Sequence, residues 1–226
     1  MMSKKQKLAA ATIERAIAAH DWPRARRLIR KELRKNRDDH WLLTRLSLTY
    51  YEQKQYRKSL QYVIQALQIA PYCPLAVWDY AGTLDMLRRR KKALQVFQWL
   101  VSWGENRIAY GECGEGIRFA RSLIVDCYYR IARIYEERRE RVKAIMAYRQ
   151  YLVRRKRGAR SIYPLSEAKH RYAALQGQSD PSRRTLRISA GGSRAQRRAL
   201  TPSKRLKLSP VGPIVVHAKV CRRVGR

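Results

Sequence analysis

The side-chain pattern of this chain returns every 34 residues, and that spacing limits what it can fold into. Ala25, Ser59 and Ala93 stand 34 apart, as do Ile29, Val63 and Phe97, and Leu33, Leu67 and Val101. The same order of small, bulky and aliphatic residues comes back at Ala144, Tyr148 and Leu152, 51 residues after the third set, which is one repeat and a half. A fixed period in this range marks a stacked-helix solenoid, in which each unit buries its apolar face only against its neighbours. The expected work of such a chain is to hold another molecule.

Punctuation residues divide the repeats into helices. Residues 4–19 read as one helix, and the turn His20-Asp21-Trp22-Pro23 introduces a second, because proline is tolerated in a first helical turn. Asp38-Asp39 offers a cap for a third helix over about 39–53. Its partner covers about 56–70 and stops at Pro71 and Pro74. A further pair is predicted near 74–88 and 91–103. Residues 104–116 carry four glycines and read as a loop. A long helix over 117–137, a partner over 140–155 and a short cap over 164–175 complete the series. Solenoids need such a terminal cap to cover the last apolar face.

Charge is the second strong feature, at +34 over 226 residues. From Gln176 onward 13 Lys or Arg stand against the single acid Asp180, so the tail carries +12 and residues 1–175 carry the other +22. This tail has too little apolar content to fold alone and is expected to be disordered. The domains are thus a helical repeat region over 4–175 and a basic tail over 176–226. Cys73, Cys113, Cys127 and Cys221 lie far apart without a CxxC pair. They read as free thiols in a reducing compartment, with no metal site, no cofactor and a cytoplasmic location. No apolar run reaches the length of about 18 residues that spans a bilayer, so no membrane insertion is expected. His20, His40, His170 and His217 flank no nucleophile motif, and no phosphate-loop, dinucleotide or HExxH pattern occurs. The expectation is a chain that is not an enzyme.

The second unit reads Leu43, Leu46-Ser47, Tyr50, Tyr56, Ser59, Val63, Ala66-Leu67 and Pro71. It resembles the tetratricopeptide repeat, whose pattern has those residue types in that order. Tyr80-Ala81, Leu84, Ala93 and Phe97 fit a third unit, and Ile131-Ala132, Tyr135, Ala144 and Tyr148 a fourth. The first unit is weaker, with Ile13, Ala16, Trp22, Ala25 and Ile29. Arg90 and Arg141 replace an aromatic at the start of the second helix, and the usual glycines are mostly missing. The resemblance covers about residues 4–155. It implies a right-handed superhelical solenoid of about four helix-turn-helix repeats and a concave groove lined by the first helix of each pair.

Helical spacing from the core positions places Trp41, Thr44, Leu48, Tyr51 and Glu52 on that groove face. Leu75, Trp78, Gly82, Asp85 and Met86 follow from the third unit, and Asp126, Tyr129, Arg133, Glu136 and Glu137 from the fourth. Five acids against one Arg make the face differ in sign from the rest of the chain. Trp41, Tyr51, Trp78 and Tyr129 read as anchors for a protein or peptide segment, basic or amphipathic in character. The +12 tail is itself a tethered competitor for such a groove. The rival reading is a nucleic-acid- or ribosome-associated protein. It would use Arg88, Arg89, Arg90, Lys91 and Lys92, then Arg154, Arg155, Lys156 and Arg157, together with the tail, against phosphates.

Overall fold

The structure is a computed structural model and describes residues 4–177. The expected tail, 176–226, therefore lies outside the described residues except for its first two. All described secondary structure is helical: α1 (Lys4–Ala18), α2 (Trp22–Leu33), α3 (His40–Glu52), α4 (Tyr56–Ile69), α5 (Pro74–Met86), α6 (Arg90–Ser102), α7 (Gly104–Tyr110), α8 (Ile117–Glu137), α9 (Arg141–Lys156) and α10 (Leu165–Gly177). None of these helices is long and apolar enough to cross a membrane. The stacked pairs are α1/α2, α3/α4, α5/α6 and α8/α9, and each packs on the next.

The starts follow from local chemistry. Asp21 accepts from the Arg24 amide at 3.1 Å, and Pro23 sits in the first turn of α2. Asp39 caps α3 by accepting from the Leu42 amide at 3.0 Å, and Pro74 opens α5. Both devices satisfy or remove amides that a helix start leaves without partners.

The turn within each pair repeats in its backbone. His20, Lys54, Arg88 and Arg139 all adopt left-handed φ, between 55° and 61°. Each amide bonds the carbonyl three residues back, and the next amide reaches five back. The pairs are His20 to Ile17 with Asp21 to Ala16, Lys54 to Tyr51 with Gln55 to Tyr50, Arg88 to Asp85 with Arg89 to Leu84, and Arg139 to Glu136 with Glu140 to Tyr135. This two-bond closure ends a helix and reverses the chain, and glycine usually occupies its left-handed position. The missing glycines thus leave turn geometry intact and place β-carbon-bearing residues in a region costing about 1–2 kcal/mol each.

The first residue set of the period is wholly buried. Ala25, Ser59, Ala93 and Ala144 are 0% exposed, as are Ile29, Val63, Phe97 and Tyr148. The third set is mixed, with Leu67 buried and Leu33, Val101 and Leu152 half-buried. Small residues let two antiparallel helices approach, and the bulky ones fill the space between pairs. Where its neighbours carry alanine, the second unit carries Ser59. Its hydroxyl lies 2.9 Å from that of Ser47 and 3.1 Å from that of Thr83. All three are fully buried, so the polar atoms of α3, α4 and α5 satisfy one another.

Residues 104–116 are not a loop throughout, as the glycines suggested. Gly104–Tyr110 forms α7, which buries Ile108 and Ala109 against the core and packs on α8. Gly104, at φ 74°, breaks the chain between α6 and α7 rather than unwinding it. Only 111–116 is irregular. A β-carbon at Gly114 would lie 2.3 Å from the Ala109 carbonyl oxygen, so that loop needs glycine to fold back on α7. Because α8 still packs on α6, the insertion displaces the period without ending the stack. At the far end α10 covers α9, and Arg141 donates to the Leu175 and Gln176 carbonyls at 2.7 and 3.3 Å. The helix runs to Gly177, two residues past its expected end.

Arg88→Gly tests the turn. Relief of left-handed strain should exceed the entropy glycine adds to the unfolded chain, raising stability by about 1 kcal/mol. Urea denaturation checks it, and a loss of stability contradicts it.

Candidate binding groove

The first helices α3, α5 and α8 do line one face, but the chain fills much of it. Arg130 of α8 donates to the Asp85 carboxylate at 2.7 Å and to the Tyr163 hydroxyl at 3.3 Å. Its guanidinium lies 5.6 Å from the Phe97 ring centre. Trp78 also turns its edge to Phe97, at 5.2 Å, so it serves packing rather than waiting for a ligand. Tyr51 packs edge-on against Tyr56, and Gly82 lies beneath the Tyr51 ring. Leu48 is half-buried, while Glu52 and Met86 stay exposed at the helix ends.

The fourth-unit part of the expected groove is occupied by the chain itself. Asp126 accepts from the Ser161 hydroxyl at 2.5 Å and the Ile162 amide at 3.3 Å. Burial raises its pKa to about 6, against the lowering effect of those two donors and of Arg155. Tyr129 is 4% exposed and stacks on Tyr163 at 4.1 Å. Glu136 accepts from the Tyr148 hydroxyl at 2.8 Å and from Arg171 at 3.1 Å. Arg133 lies 3.8, 3.7 and 3.6 Å from Glu136, Glu137 and Glu167. The connection into α10, with α10 itself, takes the place that a following unit would fill. The reading of Asp126, Tyr129, Arg133 and Glu136 as open groove residues is corrected accordingly. So is the expected acidity of that face: Asp85, Asp126, Glu136 and Glu137 all have partners within the chain, Glu137 through Arg90 at 2.5 Å.

The basic residues of the rival reading divide as well. Arg90 is held by Glu137, Arg154 bonds Gln150 at 2.6 Å and covers Tyr128, and Arg155 donates to the Ala159 carbonyl at 2.7 Å. Arg88, Arg89, Lys91 and Lys92 stay exposed on the α5–α6 turn, and Lys156 and Arg157 at the end of α9.

A cleft of about 1010 Å³ stays open at the other end of the face, between α1, the end of α2, the start of α3, the start of α5 and the 111–116 loop. Trp41, Thr44 and Leu75 of the expected groove line it, joined by Ala9, Ala10, Ile13 and Leu42. Thr44 is buried and donates to the His40 carbonyl at 2.7 Å. Trp41 lies beneath Arg45, which pairs with Glu14 of α1 at 2.6 Å. Around the cleft stand Glu32, Asp38, Asp39, Glu112 and Glu115 against Lys35 and His40. Glu32 is held by Lys35 at 2.7 Å and Asp39 is spent capping α3, so the acidity that faces the cleft rests on Asp38, Glu112 and Glu115. Asp38, Glu112 and Glu115 are exposed. The sign contrast expected for the groove therefore reappears here, carried by residues that sequence spacing did not select. The loop acids were legible only as part of a glycine-rich stretch, and the fold alone carries them to α1 and α3.

No family model matches the chain, and no curated protein matches it. Solved structures do. The MamA RS-1 ArsTM double mutant superposes with a TM-score of 0.60 at 15% identity, over 83% of this chain and 92% of that one. MamA 41-end from Desulfovibrio magneticus RS-1 gives 0.53 at 17%, over 68% and 77%. A further crystal structure of MamA protein gives 0.51 at 15%, over 89% and 100%. This chain shares their fold. At such identities the likeness shows architecture alone, and it supports the tetratricopeptide-like stacking read from the spacing.

One buried carboxyl of α5 makes stability pH-dependent. Burial raises the Asp79 carboxyl on α5 to about 7, opposed by Arg45 and reinforced by Glu52. Its Oδ2 is buried and meets no donor among the described residues. The folded chain thus holds this proton better than the unfolded chain, whose carboxyl titrates near 3.8. The resulting stability is complete below that value and is lost as pH rises through about 7. Asp79→Asn should remove this loss. The stability difference, wild type minus variant, should fall by roughly 1–3 kcal/mol between pH 5 and 8. A difference that is flat or rises with pH contradicts the assignment.

Proposed function

We propose that this chain is a non-catalytic adaptor that holds a basic, amphipathic protein segment in the cleft between α1, α3 and the 111–116 loop. The observation that carries this is the sign of the cleft. A chain of net charge +34 sets three exposed acids, Asp38, Glu112 and Glu115, around one concave surface whose floor is apolar and aromatic. Trp41 supplies a large anchor at low entropic cost, and the rim acids favour a cationic ligand over an anionic one. The helical-repeat fold shared with the MamA structures suits this role, since stacked units present extended concave surfaces. In this reading the exposed Arg and Lys of the outer turns act as solvated helix faces, and the tail beyond residue 177 acts as a tethered competitor for the cleft.

Affinity measurements on a basic amphipathic segment recovered by pull-down test the reading. Trp41→Ala should weaken binding at least about tenfold while leaving helix content unchanged. Trp78→Ala, which removes packing on Phe97, should instead lower stability. Removing residues 178–226 should strengthen binding, and unchanged affinity contradicts the tail as competitor. Salt should weaken the pairing of a few rim acids with a basic segment only modestly, whereas a phosphate-driven complex loses roughly 10³-fold or more between about 50 and 200 mM. Failure to retain any protein partner, or a Trp41→Ala variant with wild-type affinity, overturns the proposal.

A further inference from the structure

The same cleft contains a juxtaposition that sequence spacing argued against. His40 opens α3, Cys73 is the residue before α5, and Cys113 lies in the 111–116 loop. The Cys113 Sγ and His40 Nε2 are 3.4 Å apart. One ring nitrogen of His40 and the two sulfurs all lie within 4.8 Å of one another. No other group of three such ligands occurs among the described residues. Cys73 is buried, while Cys113 and His40 are half-buried and open to the cleft.

We propose that His40, Cys73 and Cys113 form a binding site for one zinc-type divalent cation. Two thiolates and an imidazole are the donor set that borderline-soft cations select, with a fourth position for a carboxylate or water. A tetrahedral site holds its N and S donors roughly 3.3–3.8 Å apart, so the His40–Cys113 separation already fits. The remaining separations, at most 4.8 Å, need about 1 Å of contraction. Glu112 and Glu115 line the same cleft and supply carboxylates beside Cys113. Three segments distant in the chain would be tied together by one ion, fixing the loop across the end of the groove. The site does not depend on what the cleft binds.

The chemistry sets the pH sense. Without a cation both thiols hold their protons: burial raises the Cys73 pKa and raises that of Cys113 to about 12, where Cys73, Glu112 and Glu115 add to the rise. A bound cation reverses that balance and takes thiolates. Each ion therefore displaces two protons to solvent, one from Cys73 and one from Cys113, and affinity rises with pH.

Cobalt(II), followed by zinc, tests the site on the full reduced chain. The expected result is one Co²⁺ per chain, with a thiolate-to-cobalt charge-transfer band and the intense visible bands of tetrahedral coordination. Stoichiometric Zn²⁺ should abolish both, and about two protons should be released per ion in weak buffer. Zn²⁺ at about a hundredfold over its Kd should raise Tm by roughly 5–10 °C. Cys113→Ser removes one ligand from the loop without touching the helix core. It should retain the wild-type helix content and the Tm of chelator-treated wild type, and lose the charge-transfer band and the Zn²⁺ shift. His40→Gln should weaken the cobalt signal without removing its thiolate band. A folded wild-type chain without a thiolate band overturns the proposal, as does an undiminished band in Cys113→Ser. So does a mass two units light that shows a Cys73–Cys113 disulfide in chain reduced and kept under nitrogen.

Discussion

The close approach of paired helices at a single small residue is the constraint on which the rest of the structure depends. Ala25, Ser59, Ala93 and Ala144 have no exposed surface, and each is followed one turn later by a large residue that is equally buried. Neither helix of a pair can hide that large residue alone. It becomes core only when the next pair stacks, so stability passes between neighbours instead of radiating from one centre. The insertion of α7 shows how local this dependence is. Thirteen residues that obey no repeat enter between α6 and α8, yet the two helices still meet and the pattern resumes at Ala144.

Stacking by itself leaves a concave face, and the chain treats its two ends differently. Toward α10 the face is closed by internal chemistry: Arg130 with Asp85, Tyr129 on Tyr163, Asp126 with Ser161, and Glu136 with Arg171. Toward α1 it stays open, and acids collect there although the chain as a whole is strongly basic. Internal pairing and binding compete for the same side chains. A carboxylate already held by an arginine a few ångströms away has little left to offer a ligand.

The parts of this arrangement that were legible in the sequence are those governed by short-range periodicity. Helix limits follow from Pro23, Asp39 and Pro74, and buried positions from the 34-residue spacing. Long-range geometry was not legible. Helical spacing puts Asp126 and Tyr129 on the groove face, but it cannot show that Ser161 and Tyr163 return to cover them. Counting glycines hid α7, because glycine at its two ends and the buried Ile108 and Ala109 between them look alike to a composition argument. Cysteine spacing did not show the His40, Cys73 and Cys113 cluster for a related reason. Metal-ligand motifs are recognised when the ligands are close in sequence, and His40, Cys73 and Cys113 approach only through the fold.

The dependence on small residues at the helix crossings is tested most directly by urea denaturation of Ala93→Leu beside Val101→Leu. Position 93 is fully buried where α6 meets α5, and position 101, about two turns further along α6, is half-buried. If close approach at the small residue holds the stack together, Ala93→Leu costs about 2–3 kcal/mol by overpacking, and Val101→Leu costs under about 1 kcal/mol. Equal, small losses at both positions contradict the account.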